Sequence, residues 1–466
     1  MKIPVLSGVY TNETPDYRVA YPRNMQPIVQ KAGISDGYLR PTEGIVELGD
    51  APGIDRGGIN WLGACYRVMG TKLVTAQADG TLTVLADVEG SGQVTFDYSF
   101  DLLGIASSGR LFFWDGTTLT ENTDPDLGTV IDMLWIDGYW MVTDGETIAV
   151  TDLNDPYAVN PVKYGSSEAD PDPINALLKL RNEVFAVNRN TIEVFDNIGG
   201  NFFPFQRIES AQIMRGGIGT FACAVFLEQI AFLGSGRNEA PAVWLGTNSQ
   251  TSKISTREID IVLSGYTETQ LSDALVEVRV QADTQMLYIH LPDKTLVYDG
   301  AASVRAQDQV WFVLTSTIVG DGKYLARNFV WCDEIWNCGH PNEAVYGKLV
   351  DNISTHWNEV IGWDFSTQIL WNDTKGALFH ELELSGLPGR VPVGANPVIW
   401  TSYSLDGETF GQERPISAGK VGQTRKRLVW LQQGNMQNVR IQKFRGTSDA
   451  HLPFARLDAE VEPLYV

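Results

Sequence analysis

Apolar and polar residues alternate along most of the chain, as they do in β-strands with one buried face. The clearest stretch runs from residue 274 to residue 314, where the alternation predicts strands at 275–281, 286–291, 295–298 and 310–314. Turn signals such as Pro292-Asp293-Lys294 and Asp299-Gly300 separate these strands. Four antiparallel strands joined by tight turns form one small twisted sheet, the unit of a propeller blade.

The same arrangement recurs on both sides of this stretch. It predicts about seven groups of short strands between residues 61 and 360, spaced about 40 residues apart as in a β-propeller. Asp-Gly pairs mark many of the turns, since both central residues of such a turn need positive φ. The stretch 155–173 is rich in Asp and Pro and is predicted to be a loop. Ser255 with Glu258, and Thr267 with Gln270, predict two short capped helices.

The two ends of the chain differ from this pattern. Residues 1–60 hold no long periodic segment, and their prolines predict an extended arm that lies on other surfaces. Gly57-Gly58 predicts a turn within it. After Gly362 the predicted strands are longer, which indicates a separate β-sandwich of about 100 residues. The sequence thus predicts an all-β chain with an N-terminal arm and platform (1–60), a β-propeller-like domain (61–360) and a C-terminal β-sandwich (361–466).

The charge balance excludes one class of partner. The chain has 466 residues, with 35 Lys and Arg against 57 Asp and Glu, and its formal net charge is −22. This argues against a general binder of nucleic acid or anionic membrane, because phosphate contacts need Lys and Arg. No apolar run approaches the ~20 residues that cross a bilayer, and the first residues lack the apolar core of a signal peptide. We therefore expect folding and assembly in a cytoplasm, without membrane insertion.

Residues that could carry chemistry are few. Cys332, Cys338 and His340 fit no common zinc spacing and lack a fourth ligand, so free thiols and no metal site are expected. The segment 404–410 approaches the Asp-box hairpin of sialidase propellers but is one residue short, and such a box is a structural turn. No motif places a base beside a nucleophile or two carboxylates at a defined spacing. The sequence predicts no enzyme and no cofactor.

One basic cluster interrupts the acidic chain in the predicted sandwich. Its members are Lys420, Arg425, Lys426, Arg427, Arg440, Lys443 and Arg445. Strand alternation places Arg440 on the face opposite Val439 and Ile441. Two interpretations stay open: a solvated strand edge that charge protects from aggregation, and a docking surface for an acidic partner. The cluster is the candidate partner-docking site.

Short stretches along nearly the whole chain resemble one known family, and they occur in the family's order. They are Tyr21-Pro22-Arg23-Asn24-Met25, Asp36-Gly37-Tyr38-Leu39-Arg40-Pro41, Tyr66-Arg67-Val68-Met69-Gly70-Thr71-Lys72-Leu73, Thr151-Asp152-Leu153, Thr191-Ile192-Glu193-Val194-Phe195, Ser264-Gly265-Tyr266-Thr267, Ile289-His290-Leu291-Pro292, Leu296-Val297-Tyr298-Asp299 and Lys426-Arg427-Leu428-Val429-Trp430. The chain is similar to the tail accessory factor, or packaged-DNA stabilisation protein, of lambdoid short-tailed phages. It departs from the family after Gly434, where the family is basic and this chain has Asn435-Met436-Gln437-Asn438.

The resemblance implies a structural virion protein of the tail hub or nozzle. Such proteins form a homohexameric ring below the portal and its head-to-tail adaptor, and the ring extends the DNA channel. The ring helps to retain packaged DNA and mounts the tail needle or plug and the tailspikes or fibres. Double-stranded DNA passes through the channel during ejection without specific binding. The acidic composition and the lack of an active-site motif agree with this role.

Two alternatives come from other functional classes. A propeller glycosidase acting on host surface polysaccharide stays open, because the abundant Asp and Glu residues cannot be paired from the sequence. A carbohydrate-binding receptor protein would need a trimeric fibre stalk, and no glycine-rich or heptad segment supplies one.

Overall fold

Short β-strands dominate the protein, whose computed structural model describes residues 1–11, 16–30, 33–167, 170–200, 202–282, 284–373 and 375–464. The chain divides into two units. The first unit contains Met1–Val46, Asp293–Tyr324 and Leu349–Val466, and the second contains Glu47–Pro292 and Leu325–Lys348. Among the described residues, no helix is both long and apolar enough to cross a membrane.

The first 50 residues form short strands. They are β1 (Lys2–Ile3), β2 (Gly8–Thr11), β3 (Tyr17–Ala20), β4 (Met25–Ile28), β5 (Tyr38–Pro41) and β6 (Gly44–Asp50). β2 pairs with β3, and β4 pairs with β5, both antiparallel. Residues of the predicted N-terminal arm therefore form strands of β-sheets.

The second unit begins with four-stranded antiparallel sheets whose strands are adjacent in the chain. Their strands are β7 (Asp55–Trp61), β8 (Ala64–Met69), β9 (Lys72–Ala76) and β10 (Leu82–Asp87); β11 (Thr95–Tyr98), β12 (Leu103–Ser107), β13 (Arg110–Trp114) and β14 (Leu119–Glu121); β15 (Asp132–Ile136), β16 (Tyr139–Thr143), β17 (Thr147–Asp152) and β18 (Asp155–Ser166); and β19 (Ile174–Leu180), β20 (Glu183–Asn188), β21 (Ile192–Asn197) and β22 (Phe205–Arg207). Hydrophobic clusters fill the space between successive sheets.

The rest of the second unit continues this organisation with two short helices. A five-stranded sheet contains β23 (Gly216–Gly217), β24 (Cys223–Phe226), β25 (Gln229–Ser235), β26 (Ala242–Thr247) and β27 (Gln250–Lys253). A 3₁₀ turn at Glu209–Ala211 precedes this sheet, and α1 (Arg257–Ser264) and α2 (Glu268–Ser272) come after it. β28 (Leu275–Gln281) then pairs with β29 (Thr284–His290).

The remaining elements are β30 (Thr295–Asp299), α3 (Gly300–Ala306), β31 (Trp311–Leu314), β32 (Arg327–Cys332), β33 (Ile335–Gly339), β34 (Val345–Val350), β35 (Gly362–Ser366), β36 (Leu370–Trp371), β37 (Ala377–Gly386), β38 (Val398–Ser404), β39 (Arg414–Ser417), β40 (Val429–Leu431), β41 (Asn435–Met436), β42 (Val439–Thr447) and β43 (Phe454–Pro463). β30 pairs with β31, and β32 pairs with β33.

The first unit contains a β-sandwich. One sheet has the order β4-β5-β43-β37-β40, with β1 beside β43 and β41 beside β37. The other has the order β35-β42-β38-β39, with β36 beside β42. Their inner faces meet in an aromatic core that includes Trp363, Phe365, Phe379, Phe444 and Phe454. Aromatic side chains bury large areas, so this core is the main source of hydrophobic stabilisation for the sandwich.

Carboxyl groups join neighbouring sheets of the second unit. Asp97 on β11 accepts the backbone N–H of Trp135 on β15 at 2.7 Å. Asp132 on β15 accepts the backbone N–H of Leu177 on β19, also at 2.7 Å. Glu277 on β28 accepts backbone N–H groups from residues 328 and 329 of β32 at 2.8 and 2.7 Å. Loss of such a bond would leave a desolvated polar group between two sheets, so these side chains fix how each sheet meets the next.

A buried network of polar side chains joins distant segments of the first unit. The Asn24 side-chain amide donates to the carbonyls of Thr315 and Gly362 at 3.0 and 2.7 Å. The Asn24 side-chain oxygen accepts the backbone N–H of Thr315 at 3.0 Å. Arg23 donates from Nε to Asp364 at 2.7 Å. Because both side chains are almost fully buried, every lost bond would leave an unpaired polar group inside the unit.

Most predicted strands are present within a few residues of their predicted bounds, but several local predictions were wrong. The predicted loop 155–173 contains the 12-residue strand β18. Asp299-Gly300 starts α3 instead of a simple turn, because the Asp299 carboxylate caps the backbone N–H of Ala302 at 2.8 Å. Thr256, rather than Ser255, caps α1. The capping box of Thr267 and Gln270 at α2 is confirmed.

The N-terminal boundary of the predicted propeller lies inside β7. The turn predicted at Gly57-Gly58 is wrong, because both glycines belong to this strand, which has a register shift between Asp55 and Gly57. Gly57 has φ +149°, and a Cβ there would lie 2.8 Å from a methyl carbon of Val94. The glycine thus permits close packing. The division of the chain at residues 60 and 360 stays a prediction.

Candidate docking site

The loop between β39 and β40 carries three of the predicted docking residues, Lys420, Arg425 and Lys426. The loop is folded on itself and on a neighbouring loop, since Gly422 N–H donates to the Gly389 carbonyl at 3.0 Å. Lys420 and Arg425 are exposed and Lys426 is half-buried. Among the described residues, none of the three side chains forms an ion pair. Their charges are therefore available to a partner.

Three further members of the cluster are ion-paired at the surface. Arg427 donates from Nε and Nη2 to both carboxylate oxygens of Glu383, at 2.8 and 2.7 Å, and reaches Glu381 at 2.8 Å. The bond to Glu383 raises the pKa of Arg427, and the same bond lowers the pKa of Glu383. Arg445 makes a two-bonded pair with Glu413, and its guanidinium lies over Trp400. Lys443 is 3.8 Å from Asp364.

Arg440 requires a correction, because it is fully buried rather than part of an exposed face. It donates to the carbonyl of Gln433 at 2.8 Å and to the side-chain oxygen of Gln442 at 2.8 and 3.1 Å. Its guanidinium lies 3.8 Å from the ring centre of Tyr403 and 4.3 Å from that of Phe379. Burial lowers its pKa to about 10. Arg440 packs the sandwich and cannot contribute to an exposed docking surface.

A cleft of about 730 Å³ lies beside the exposed part of the cluster. Its lining comes from residues 34, 38, 40, 352, 383–387, 390, 426–428, 451 and 453–455, all of them in the first unit. Four cationic side chains contribute to the lining, namely Arg40, Arg390, Lys426 and Arg427, against one carboxylate, Glu383. We call this the basic cleft. The structure therefore gathers Lys426 and Arg427 with two cations, Arg40 and Arg390, that were not among the predicted docking residues.

The candidate Asp-box segment is a structural turn. The Asp406 carboxylate accepts backbone N–H groups from Glu408 and Thr409, both at 2.9 Å, and the hydroxyls of Ser404 and Thr409. The hydroxyl of Thr409 makes the largest contribution to lowering the pKa of Asp406. Asp115 and Asp144 cap their own turns in the same way. A carboxylate occupied by its own turn is not available as a catalytic acid.

The cysteines do not converge on His340. Cys332 and Cys65 belong to one hydrophobic cluster, and the Cys332 thiol lowers the pKa of Cys65. His340 uses Nδ1 to accept the backbone N–H of Glu343 at 2.8 Å. Within the described residues, no three His, Cys, Asp or Glu side chains lie close enough together to hold a metal ion. All four cysteines are buried free thiols.

An exposed aromatic surface on the second unit was missed from the sequence. Leu62 and Phe100, which are 77% and 85% exposed, lie at strand-connecting turns, where polar residues usually stand. With Tyr98 and Trp135 they line a cleft of about 340 Å³. The sequence signal that could have revealed this surface is the presence of large apolar residues at turns. An exposed apolar surface of this kind commonly marks a contact site.

Many of the described ionic groups of this protein join sheets, cap turns or pack the sandwich, as in a structural scaffold. Residues 1–354 match the family described as bacteriophage P22 Gp10, beta-propeller, and residues 362–462 match bacteriophage P22 Gp10, beta-sandwich. The chain belongs to the bacteriophage P22 Gp10 family. The predicted all-β class with a propeller and a C-terminal sandwich is confirmed, as is the family that the sequence resembles.

One relative is similar along almost its whole length. It is the tail hub protein gp10 of Salmonella phage P22, which is 26% identical over 460 residues, or 94% of each chain. That relative is a structural tail protein and not an enzyme, so the chain is a structural protein of a bacteriophage tail.

Solved structures are similar at a lower level. The computationally designed Ika8 protein has a TM-score of 0.39 at 14% identity and covers 74% of this chain and 98% of its own. The WD40 domain of Neurospora crassa Pan2 has a TM-score of 0.42 at 12% identity, with 64% and 90% covered.

Proposed function

We propose that six copies of this chain form a ring that serves as the hub, or nozzle, of a short phage tail. The ring extends the portal–adaptor channel, helps to retain packaged DNA, and mounts the tail needle or plug and the tailspikes or fibres. The observation that carries this proposal is the match to a tail hub protein over 94% of both chains, with propeller and sandwich both included. Assembly in the host cytoplasm is part of the proposal.

The exposed part of the basic cluster fits a partner-docking role within such a tail. Lys420, Arg425 and Lys426 carry charge that no described acidic side chain neutralises, on a chain whose net charge is −22. Positive groups at the rim of an interface accelerate encounter with an acidic partner and set its orientation. Arg427, which is ion-paired and lines the same cleft as Lys426, would flank the contact.

Loss of the protein is expected to give heads that package DNA and then release it, because the channel below the adaptor is no longer capped. The measurement is the amount of nuclease-resistant genome in particles purified from a deletion phage, together with electron microscopy of their tails. The control is the same phage complemented with the intact gene. Deletion particles that keep their DNA through purification would contradict the proposed role.

Duplex DNA is expected to pass this ring without adhesion. Six copies carry a formal charge of 6 × −22 = −132, which repels phosphate. Binding that neutralised even six phosphates would show a log–log salt slope of about −5. In filter-binding titrations near physiological salt, the isolated protein should show no such binding. Micromolar affinity for DNA with a steep salt dependence, abolished by replacing Arg425, Lys426 and Arg427 with Gln, would show that this cluster contacts DNA.

A further inference from the structure

The basic cleft is a positive site on a strongly acidic chain. Its lining has four cations and one carboxylate, a formal balance of 4 − 1 = +3, whereas the whole chain carries −22. Two of its cations have identified acidic neighbours, since Arg40 is 3.8 Å from Asp351 and Arg427 is paired with Glu381 and Glu383. Arg390 and Lys426 form no ion pair with any described residue. Two free cations thus face one cleft.

Apolar side chains also contribute to the basic cleft. Leu384 and Phe454 are buried beneath it, and Leu387 on its wall is 48% exposed. Its volume of about 730 Å³ lies within the range of protein pockets that enclose a ligand, about 300–1,000 Å³. A bound segment could therefore place an apolar side chain against Leu387 while its charged groups meet Arg390 and Lys426.

The cleft begins where a strand loses its neighbour. β37 pairs with β40 through residues 381–383, and the last bond on that side runs from the Leu384 N–H to the Leu428 carbonyl at 2.9 Å. β37 continues to Gly386, and Ser385 and Gly386 line the cleft. An extended peptide laid along a strand end of this kind gains backbone bonds as well as side-chain contacts.

We propose that the basic cleft binds an extended, acidic peptide segment of another tail protein, with one bulky apolar side chain inserted beside Leu387. The charge complementarity of the lining carries the proposal, and the apolar wall and the open strand end define the shape of the ligand. The identity of the donor as a tail protein rests on the proposed function. The chemistry proposed for the ligand does not depend on that function.

The test uses the full-length protein and a fluorescein-labelled hexapeptide with a central Phe flanked by Asp and Glu. Fluorescence anisotropy should show saturable binding that weakens with added salt. Replacing the acidic residues by Asn and Gln, or the Phe by Gly, should weaken binding at least fivefold. The double variant Arg390→Gln/Lys426→Gln should weaken binding at least tenfold, because both free cations of the cleft are removed.

The matched control is Lys420→Gln/Arg425→Gln, which removes the same two positive charges from outside the lining. It should change affinity less than twofold, while circular dichroism melting of both variants matches that of the parent protein. Equal losses in the two variants, or no peptide binding at millimolar concentration, would overturn the proposal. Tighter binding of a 12-base-pair DNA duplex, lost in the Arg390→Gln/Lys426→Gln variant, would also overturn it. If electron microscopy places the chain in the tail but the peptide does not bind, the peptide site alone fails.

Discussion

Replacing Arg67 by Met is expected to lower the free energy of unfolding by about 3–5 kcal/mol, since it leaves Asp55 charged and unpaired in the interior. Both side chains are 0% exposed. Arg67 donates from Nε and Nη2 to the two oxygens of Asp55, each at 2.9 Å, and from Nη2 to the Asn328 carbonyl at 2.8 Å. Burial opposes the charged guanidinium, but the Asp55 carboxylate more than offsets this and raises the pKa of Arg67.

Denaturant titration of the full-length protein measures this change. The control is Arg181→Met, because Arg181 is paired with Glu228 at 3.8 Å and both side chains are largely exposed; its effect should stay within about 0.5 kcal/mol. Adding Asp55→Asn to Arg67→Met should recover part of the loss, since the orphaned charge is removed. A loss below about 1 kcal/mol for Arg67→Met alone would show that the pair is not desolvated.

The difference in unfolding free energy between the parent protein and an Asp132→Asn variant is expected to shrink as the pH rises from about 4 to 7. Burial raises the pKa of Asp132 from 3.8 to about 7, against the bonds it accepts from Leu177 N–H and Thr95. The carboxyl is then neutral in the folded protein and ionised in the unfolded chain across this range. The contribution of Asp132 to the free energy of unfolding is full at pH values below its pKa in the unfolded chain. It is lost as the pH rises through its pKa in the folded protein, at roughly 1 kcal/mol per pH unit.

Denaturant titrations at several pH values across this range provide the measurement. The matched control is Asp124→Asn. The Asp124 carboxylate accepts backbone N–H groups from Val159 and Asp126, which lower its pKa. Because the pKa of Asp124 is lower in the folded protein than in the unfolded chain, its contribution to the free energy of unfolding is full above the pKa of the unfolded chain. That contribution should be lost as the pH falls. Parallel pH profiles for the parent protein and Asp132→Asn would show that the Asp132 carboxyl does not titrate in this range.

Hairpins could be predicted from the sequence because their chemistry is local. Asp115 and Asp144 bond to the backbone N–H groups of their own turns, so the four residues that define each turn are contiguous. The same local chemistry also explains one wrong prediction. Asp299 caps the backbone three residues ahead, as a turn Asp does, but the chain continues into α3. An Asp-Gly pair thus predicts where the backbone bends, but it does not distinguish a hairpin turn from the first turn of a helix.

Pairing between strands could not be predicted, because it depends on partner strands elsewhere in the sequence. β18 contains Pro156 and Pro161, which lack the N–H that a strand needs. The strand forms at the edge of its sheet, and its register with β17 shifts around both prolines, so neither residue has a pairing partner. The burial of Arg440 has a similar origin, since Phe379 and Tyr403 come from β37 and β38. Charge in a sequence does not indicate whether another strand will cover it.

The basic cleft lay beyond sequence reasoning for the same reason. Lys426 and Arg427 stand out in the sequence as a basic run, but Arg40 and Arg390 are isolated among uncharged or acidic neighbours. The pairing of β5, β43 and β37 brings Arg40 to the segments after β37 and before β40 that carry the other three cations. Other polar residues of the stretches that resemble the family are structural: Arg23, Asn24 and Arg67 form buried bonds that join distant segments of the chain.

The pairing of β1 with β43 sets the order in which the protein can fold during translation. The Met1 ammonium donates to the Ala459 carbonyl at 2.6 Å across 458 positions of sequence, and Lys2 and Ile3 pair with Asp458 and Leu457. At about 5–20 residues per second, roughly 20–90 s separate the emergence of β1 from that of its partner. During that interval β1 leaves the ribosome with no strand to pair with, although hairpins such as β7–β8 can form as soon as they emerge. The sandwich therefore closes only after β43 has emerged from the ribosome, and any product truncated before residue 454 keeps an open sheet edge that is prone to aggregation.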